Sequence, residues 1–174
     1  ILAALCLGVT APAADELAPN GSFEVGFDGW TRWGKNANLI TLDSALAHSG
    51  TNSVRIQQGH NALYFTHALN PEQAYELRFA YRLAGGNPSG RVSLSFSKEG
   101  GPLRSAGAEI FKFAPPAGTS AAEWVAFRKV FLPTPITVAC QFAFAAGDGS
   151  TLWVDDVSLR VVPRPADLAR PTLP

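Results

Sequence analysis

The chain has 174 residues, 47% of them apolar, and its 14 Lys and Arg balance 14 Asp and Glu to a formal net charge of zero. That length and apolar content suit one domain with a real core and argue against global disorder. Scattered, balanced charge without a basic run gives no electrostatic footprint for nucleic acid.

The opening ILAALCLGVTAPAADE is an apolar run ending in small residues. Residues 1–13 read as the remnant of a signal peptide, with cleavage after Ala13 at the small-residue stretch Ala11-Pro12-Ala13. A secreted or periplasmic protein is therefore expected. The run is too short to span a bilayer, and no other membrane span is expected. Cys6 would be a lipidation site, but Leu5 stands where lipoprotein signals carry Gly or Ala. Cys140, the remaining cysteine, lies in ITVACQFAFAA and reads as a small buried hydrophobe without a disulfide.

From residue 14 to 162 the patterning is all-β. In 73–83, Tyr75, Leu77, Phe79, Tyr81 and Leu83 alternate with Glu76, Arg78 and Arg82. In 91–97, Val92, Leu94 and Phe96 alternate with Arg91, Ser93, Ser95 and Ser97. In 136–144, Val138, Cys140, Phe142 and Phe144 alternate with Thr137, Ala139, Gln141 and Ala143. Such period-two runs predict half-buried antiparallel strands. Further strands are expected in NGSFEV, NLITLD, NSVRIQ, ALYFTHAL, AEIFKF, EWVAFRKVFL and TLWVDDVSL. Turn residues separate them, and about ten short strands at this spacing predict a two-sheet β-sandwich jelly roll. Residues 114–122 form a longer loop, and 163–174 a Pro-rich tail or linker.

Enzyme signatures such as GxSxG, a P-loop, HExxH or CxxC do not occur. His48, His60 and His67 read as surface or loop residues without zinc spacing. In LWVDDVSL, Asp155 shares the face of Val157 and Leu159, whereas Asp156 points to solvent. A carboxylate aimed at a sandwich interior needs hydrogen bonds, neutralisation or a metal. Glu24 lies at the other end of the domain, and first and last strands are often neighbours. Either the two acids share a cation, with calcium the natural choice for oxygen ligands, or Asp155 caps loop N–H groups and Glu24 is solvated.

NGSFEVGFDGW (20–30), AHSGTNSVRI (47–56), AYELRFAYR (74–82), EWVAFRKVF (123–131) and LWVDDVSL (152–159) occur in this order. As a set they resemble the carbohydrate-binding module superfamily of the family 4, 9 and 22 type, a galactose-binding-like jelly roll. The resemblance implies a structural calcium held by Glu24, Asp155, the backbone oxygen of Ser22 and groups of Ser49 and Asn52. Ser49 stands where some members carry a carboxylate.

The resemblance also implies non-catalytic binding of a polysaccharide or oligosaccharide by a monomer, alongside an appended or associated carbohydrate-active enzyme. Aromatic side chains would stack on sugar faces while a few polar groups bond hydroxyls. Trp33 and Tyr64 are the candidate platforms, ahead of Trp153. Trp30 and Trp124 read as core or rim packing. Arg78, Arg82, Ser93, Ser95, Ser97 and Gln141, with small Ala80, Ala139 and Ala143 among them, make the candidate floor; of these, Arg78, Arg82, Ser95 and Gln141 are the expected ligand contacts. Two other readings stay open. One is a structural or adhesive jelly roll. The other is a lyase or hydrolase on the same fold, which would need a pair such as His60 or His67 near Tyr64.

Overall fold

The computed structural model describes residues 15–57, 60–118 and 123–169. The signal-peptide segment 1–13 and Cys6 lie outside the described residues, as do 119–122 of the expected loop and 170–174 of the tail. Ten strands follow in chain order: β1 (Thr31–Gly34), β2 (Ile40–Asp43), β3 (Ser53–Gln57), β4 (Asn61–Ala68) and β5 (Ala74–Ala84), then β6 (Gly90–Ser97), β7 (Ala108–Phe113), β8 (Val125–Phe131), β9 (Ala139–Ala146) and β10 (Thr151–Val162). They form two antiparallel five-stranded sheets, ordered β1-β4-β9-β6-β7 and β2-β3-β10-β5-β8. This is the β-sandwich jelly roll that the alternation predicts.

Period-two patterning becomes burial directly. Tyr75, Leu77, Phe79, Tyr81 and Leu83 of β5 point into the sandwich and meet Val92, Leu94 and Phe96 of β6 and Phe142 and Phe144 of β9 in one core. Phe65 stacks on Phe142 with ring centroids 4.8 Å apart and an interplanar angle of 11°. Full burial of one such ring is worth about 2 kcal/mol, so the core stabilises the domain without a disulfide. Cys140 is buried in it, as its apolar neighbours predict.

Three expectations change. NGSFEV forms no strand; it is a succession of turns in which Asn20 and Phe23 take positive φ. Its neighbourhood with the last strand nevertheless holds, because Leu17 N–H donates to Leu159 O at 2.8 Å and Val157 N–H to Gly21 O at 2.9 Å. The approach is so close that a Cβ on Gly21 would lie 1.8 Å from Val157 O. Second, β9 begins only at Ala139: the hydroxyls of Thr134 and Thr137 bond each other at 2.8 Å inside a turn, which sends Val138 outward. Third, His67 sits within β4, half-buried opposite Cys140, and not in a loop.

Candidate functional site

The acids at the two ends of the domain are joined through one turn. β10 bulges between Asp155 and Ser158, and Asp156 adopts φ 50° there, a conformation that Asp tolerates better than most residues. The bulge leaves Asp155 fully buried. Its Oδ2 accepts the N–H of His48 at 2.8 Å and of Ser49 at 3.2 Å, and its Oδ1 accepts the N–H of Asp156 at 2.8 Å. Burial pushes the Asp155 carboxyl up, and these N–H groups pull against that shift. Asp156 is not merely solvated: His48 Nδ1 and Ser49 Oγ each lie 2.6 Å from its carboxylate.

Glu24 is exposed and takes the other half of the same turn. Its Oε1 accepts the N–H of Thr51 and of Asn52, both at 2.9 Å, and Oε2 accepts the Thr51 hydroxyl. Those bonds, led by the hydroxyl, hold the Glu24 carboxyl below its usual range. Position 50 favours glycine, since φ is 60° and a Cβ there would lie 2.6 Å from Glu24 Oε1. Glu16 adds a third tie, accepting Leu159 N–H at 2.7 Å and the Ser158 hydroxyl at 2.6 Å.

Calcium wants six to eight oxygen ligands. Here the oxygens of Glu24 and Asp155 accept N–H and O–H donors from the turn between them, and the Ser49 hydroxyl is spent on Asp156. Among the described residues no three acidic, His or Cys side chains converge as metal ligands would. As arranged, the carboxylates of Glu24 and Asp155 are engaged by the turn's own N–H groups and the Ser49 hydroxyl by Asp156, so these three groups are not presented together as a calcium cage.

The outer face of the β1-β4-β9-β6-β7 sheet carries a groove of about 630 Å³, within the range of small-ligand sites. Cross-strand register builds it in rows. In one row Tyr64 stands opposite Ala143, Ala143 opposite Ser93, and Ser93 opposite Ile110. In the next, Gln141 stands opposite Ser95. A third row sets Trp33 opposite Ala62 on one side, and Ala145, Arg91 and Lys112 in succession on the other. Alanines keep the floor low. Trp33 stays 63% exposed on the edge strand β1, and Leu103 and Ile110 form an apolar wall at the far side. From the loop before β7, Arg104 Nε donates to Ser95 Oγ at 3.3 Å.

Thus Trp33, Tyr64, Ser93, Ser95 and Gln141 share one groove, while Arg78 and Arg82 do not reach it. Both sit on β5, in the other sheet. Strand parity tells which side of its own sheet a residue faces, not which sheet its strand joins. Arg78 and Arg128 flank the buried carboxylate of Glu76. Arg82 lies 5.6 Å over the ring of Trp153, whose Nε1 donates to Asp43 at 2.9 Å. Trp153 is accordingly a packed residue of that second sheet. Trp30 is buried against Phe23, Phe65 and Phe144, and Trp124 packs on His48 at the rim. Tyr64 and His67 leave β4 on opposite faces, so that strand does not assemble a catalytic pair from them. Arg91, Arg104, Lys112, Leu103 and Ile110 are groove residues that sequence reasoning did not select; the outward parity of Arg91 was its only signal.

No family model and no curated protein matches the chain. Solved structures do. A family 61 carbohydrate-binding module in complex with β-1,4-galactotriose is 18% identical with a TM-score of 0.58, and the match covers 86% of this chain and 100% of that one. The xylan-binding family 22 module of Paenibacillus barcinonensis Xyn10C is 16% identical with a TM-score of 0.63, over 90% and 100% of the two chains. The family 22 and GH10 modules of Clostridium thermocellum Xyn10B, complexed with xylohexaose, are 19% identical with a TM-score of 0.67, over 86% and 29%. These likenesses show the fold.

Proposed function

We propose that this chain is a non-catalytic carbohydrate-binding module that holds a polysaccharide in the groove of the β1-β4-β9-β6-β7 sheet. The observation that carries the reading is Trp33, 63% exposed on the wall of a groove that also contains Tyr64. A large ring left in water at the edge of a sheet is a stacking platform for the C–H face of a sugar. Gln141, Ser93 and Ser95 on the floor supply donors and acceptors for hydroxyls, and the alanines let a chain lie close to the sheet. Binding by such a surface is tethering: it concentrates the protein, or an enzyme joined to it, on its polysaccharide. The galactan and xylan oligosaccharides bound by modules of this fold support that ligand class. The small-residue opening segment supports a protein that works outside the cytoplasm.

A glycan array probed with the folded protein tests the reading. Retention on at least one polysaccharide that Trp33→Ala abolishes is expected. Retention on none, by protein with an intact melting transition, removes the reading.

A further inference from the structure

We infer that the groove takes an O-acetylated glycan, with the methyl of an acetyl ester packed on Leu103 and Ile110 and its carbonyl oxygen accepting from Arg104. The inference rests on the groove being the glycan site and names a substituent which that site reads.

Apolar side chains left in water gather here. Among the described residues seven large apolar side chains stand exposed, and three of them, Trp33, Leu103 and Ile110, line this groove. An exposed apolar cluster of this kind marks a binding surface. Its two sides differ in shape. Trp33 offers a flat ring, which suits the broad C–H face of a sugar. Leu103 and Ile110, 50% and 52% exposed, are branched and present methyl groups instead. Sugar hydroxyls laid against them would give up water for no partner. A methyl group carried by the glycan gains dispersion contacts there and has no hydrogen bond to lose.

A donor lies beside that wall. Ile110 stands opposite Ser93 where β7 pairs with β6. Ser95, the next residue on the same face of β6, accepts Arg104 Nε at 3.3 Å. Leu103 adjoins Arg104 in the chain, on a loop that its own hydrogen bonds hold in shape. Ser105 N–H donates to Pro102 O at 3.1 Å, Lys98 N–H to Ser105 Oγ at 3.0 Å, and Gly107 N–H to Arg104 O at 2.9 Å. Arg104 itself sits at φ 69°, a left-handed conformation that non-glycine residues avoid and that persists where the surroundings impose it. A guanidinium carries donors and no acceptor, so the matching ligand group is an acceptor. The group that meets a methyl wall and a donor beside it is a carbonyl bearing a methyl, as in an acetyl ester. A hydroxyl brings the acceptor without the methyl, and an O-methyl ether brings the methyl without the carbonyl.

Calorimetry on the whole chain tests this with matched pairs. The set is partly O-acetylated oligosaccharides of xylan, glucomannan and β-1,4-galactan, each against its alkali-deacetylated form. At least one acetylated ligand is expected to bind about tenfold or more tighter than its deacetylated counterpart, the scale of one alkyl group in an apolar pocket. Leu103→Ser with Ile110→Ser, both at exposed positions, should erase that preference while the melting transition is kept. Arg104→Leu should reduce it, and Trp33→Ala should weaken both members of a pair alike. Equal affinity within every pair that binds overturns the inference and leaves glycan binding standing. A preference that survives whole in the wall variant or in the arginine variant also overturns it. So does an equal gain from O-methyl ethers, which carry no carbonyl for Arg104. Binding to no glycan, acetylated or not, overturns the underlying reading itself.

Discussion

The carboxylate of Asp155 accepts the backbone N–H of His48 at 2.8 Å, bonding the last strand to a turn 107 residues earlier. With Ser49 and Asp156 it satisfies three N–H groups from one buried side chain. Asp155→Ala strands those donors, and each stranded buried donor costs on the order of 1–3 kcal/mol. The bonds of Asp156 are solvent-exposed, and loss of such contacts costs about 1 kcal/mol or less. Urea denaturation is expected to show a clearly larger loss for Asp155→Ala than for Asp156→Ala. Equal losses would remove Asp155 as the centre of the clasp.

The same turn gives a prediction about metal binding. Because Glu24 and Asp155 already accept hydrogen bonds from residues 48–52 and 156, adding calcium or EDTA is expected to leave the melting temperature unchanged. A calcium-dependent rise that Glu24→Gln abolishes would mean the turn opens and exchanges its N–H groups for the ion.

Glu76 gives stability a defined pH dependence. Burial raises its carboxyl, but Arg78 and Arg128 outweigh that and hold it below the usual value of 4.5. A carboxyl depressed in the folded state stabilises fully above its unfolded pKa, and that stability disappears as pH falls through the folded value. Chemical denaturation from pH 7 to pH 2 should therefore show a steeper acid loss for the parent protein than for Glu76→Gln. At neutral pH the variant should already be weaker by roughly 1.5 kcal/mol, the value of a charge-assisted hydrogen bond. Parallel pH curves would show that the pair does not contribute.

Much of this fold is legible because alternation needs only local information: Tyr75 to Leu83 declare a buried face whatever lies across from them. Sheet membership is not local. Arg82 and Gln141 have the same outward parity, yet their strands entered different sheets, and only long-range pairing separates them. The clasp shows the same limit. That Asp155 needs N–H groups or an ion follows from its place in an apolar strand, but which one it finds depends on a turn 107 positions away. Glu16 carries no signal at all, since it looks like any acid ahead of a domain. Arg91 reads as an outward residue; its place opposite Lys112 appears only once β6 pairs with β7.

Trp30 and Trp33 lie three positions apart and should behave oppositely. Trp30 is buried among Phe23, Phe65 and Phe144, and its Nε1 donates to Pro19 O at 2.6 Å. Truncating it leaves a cavity and an unpaired carbonyl, so Trp30→Ala should cost about 3–5 kcal/mol. Trp33 is 63% exposed, so Trp33→Ala should leave the unfolding midpoint nearly unchanged. Its loss should appear in binding: about tenfold or more in Kd for a retained polysaccharide, equivalent to about 1.4 kcal/mol. The pair of measurements, denaturation and calorimetry on both variants, separates packing from recognition. If Trp33→Ala binds every retained glycan as the parent does, the groove is not the binding surface, and the exposed ring has another cause.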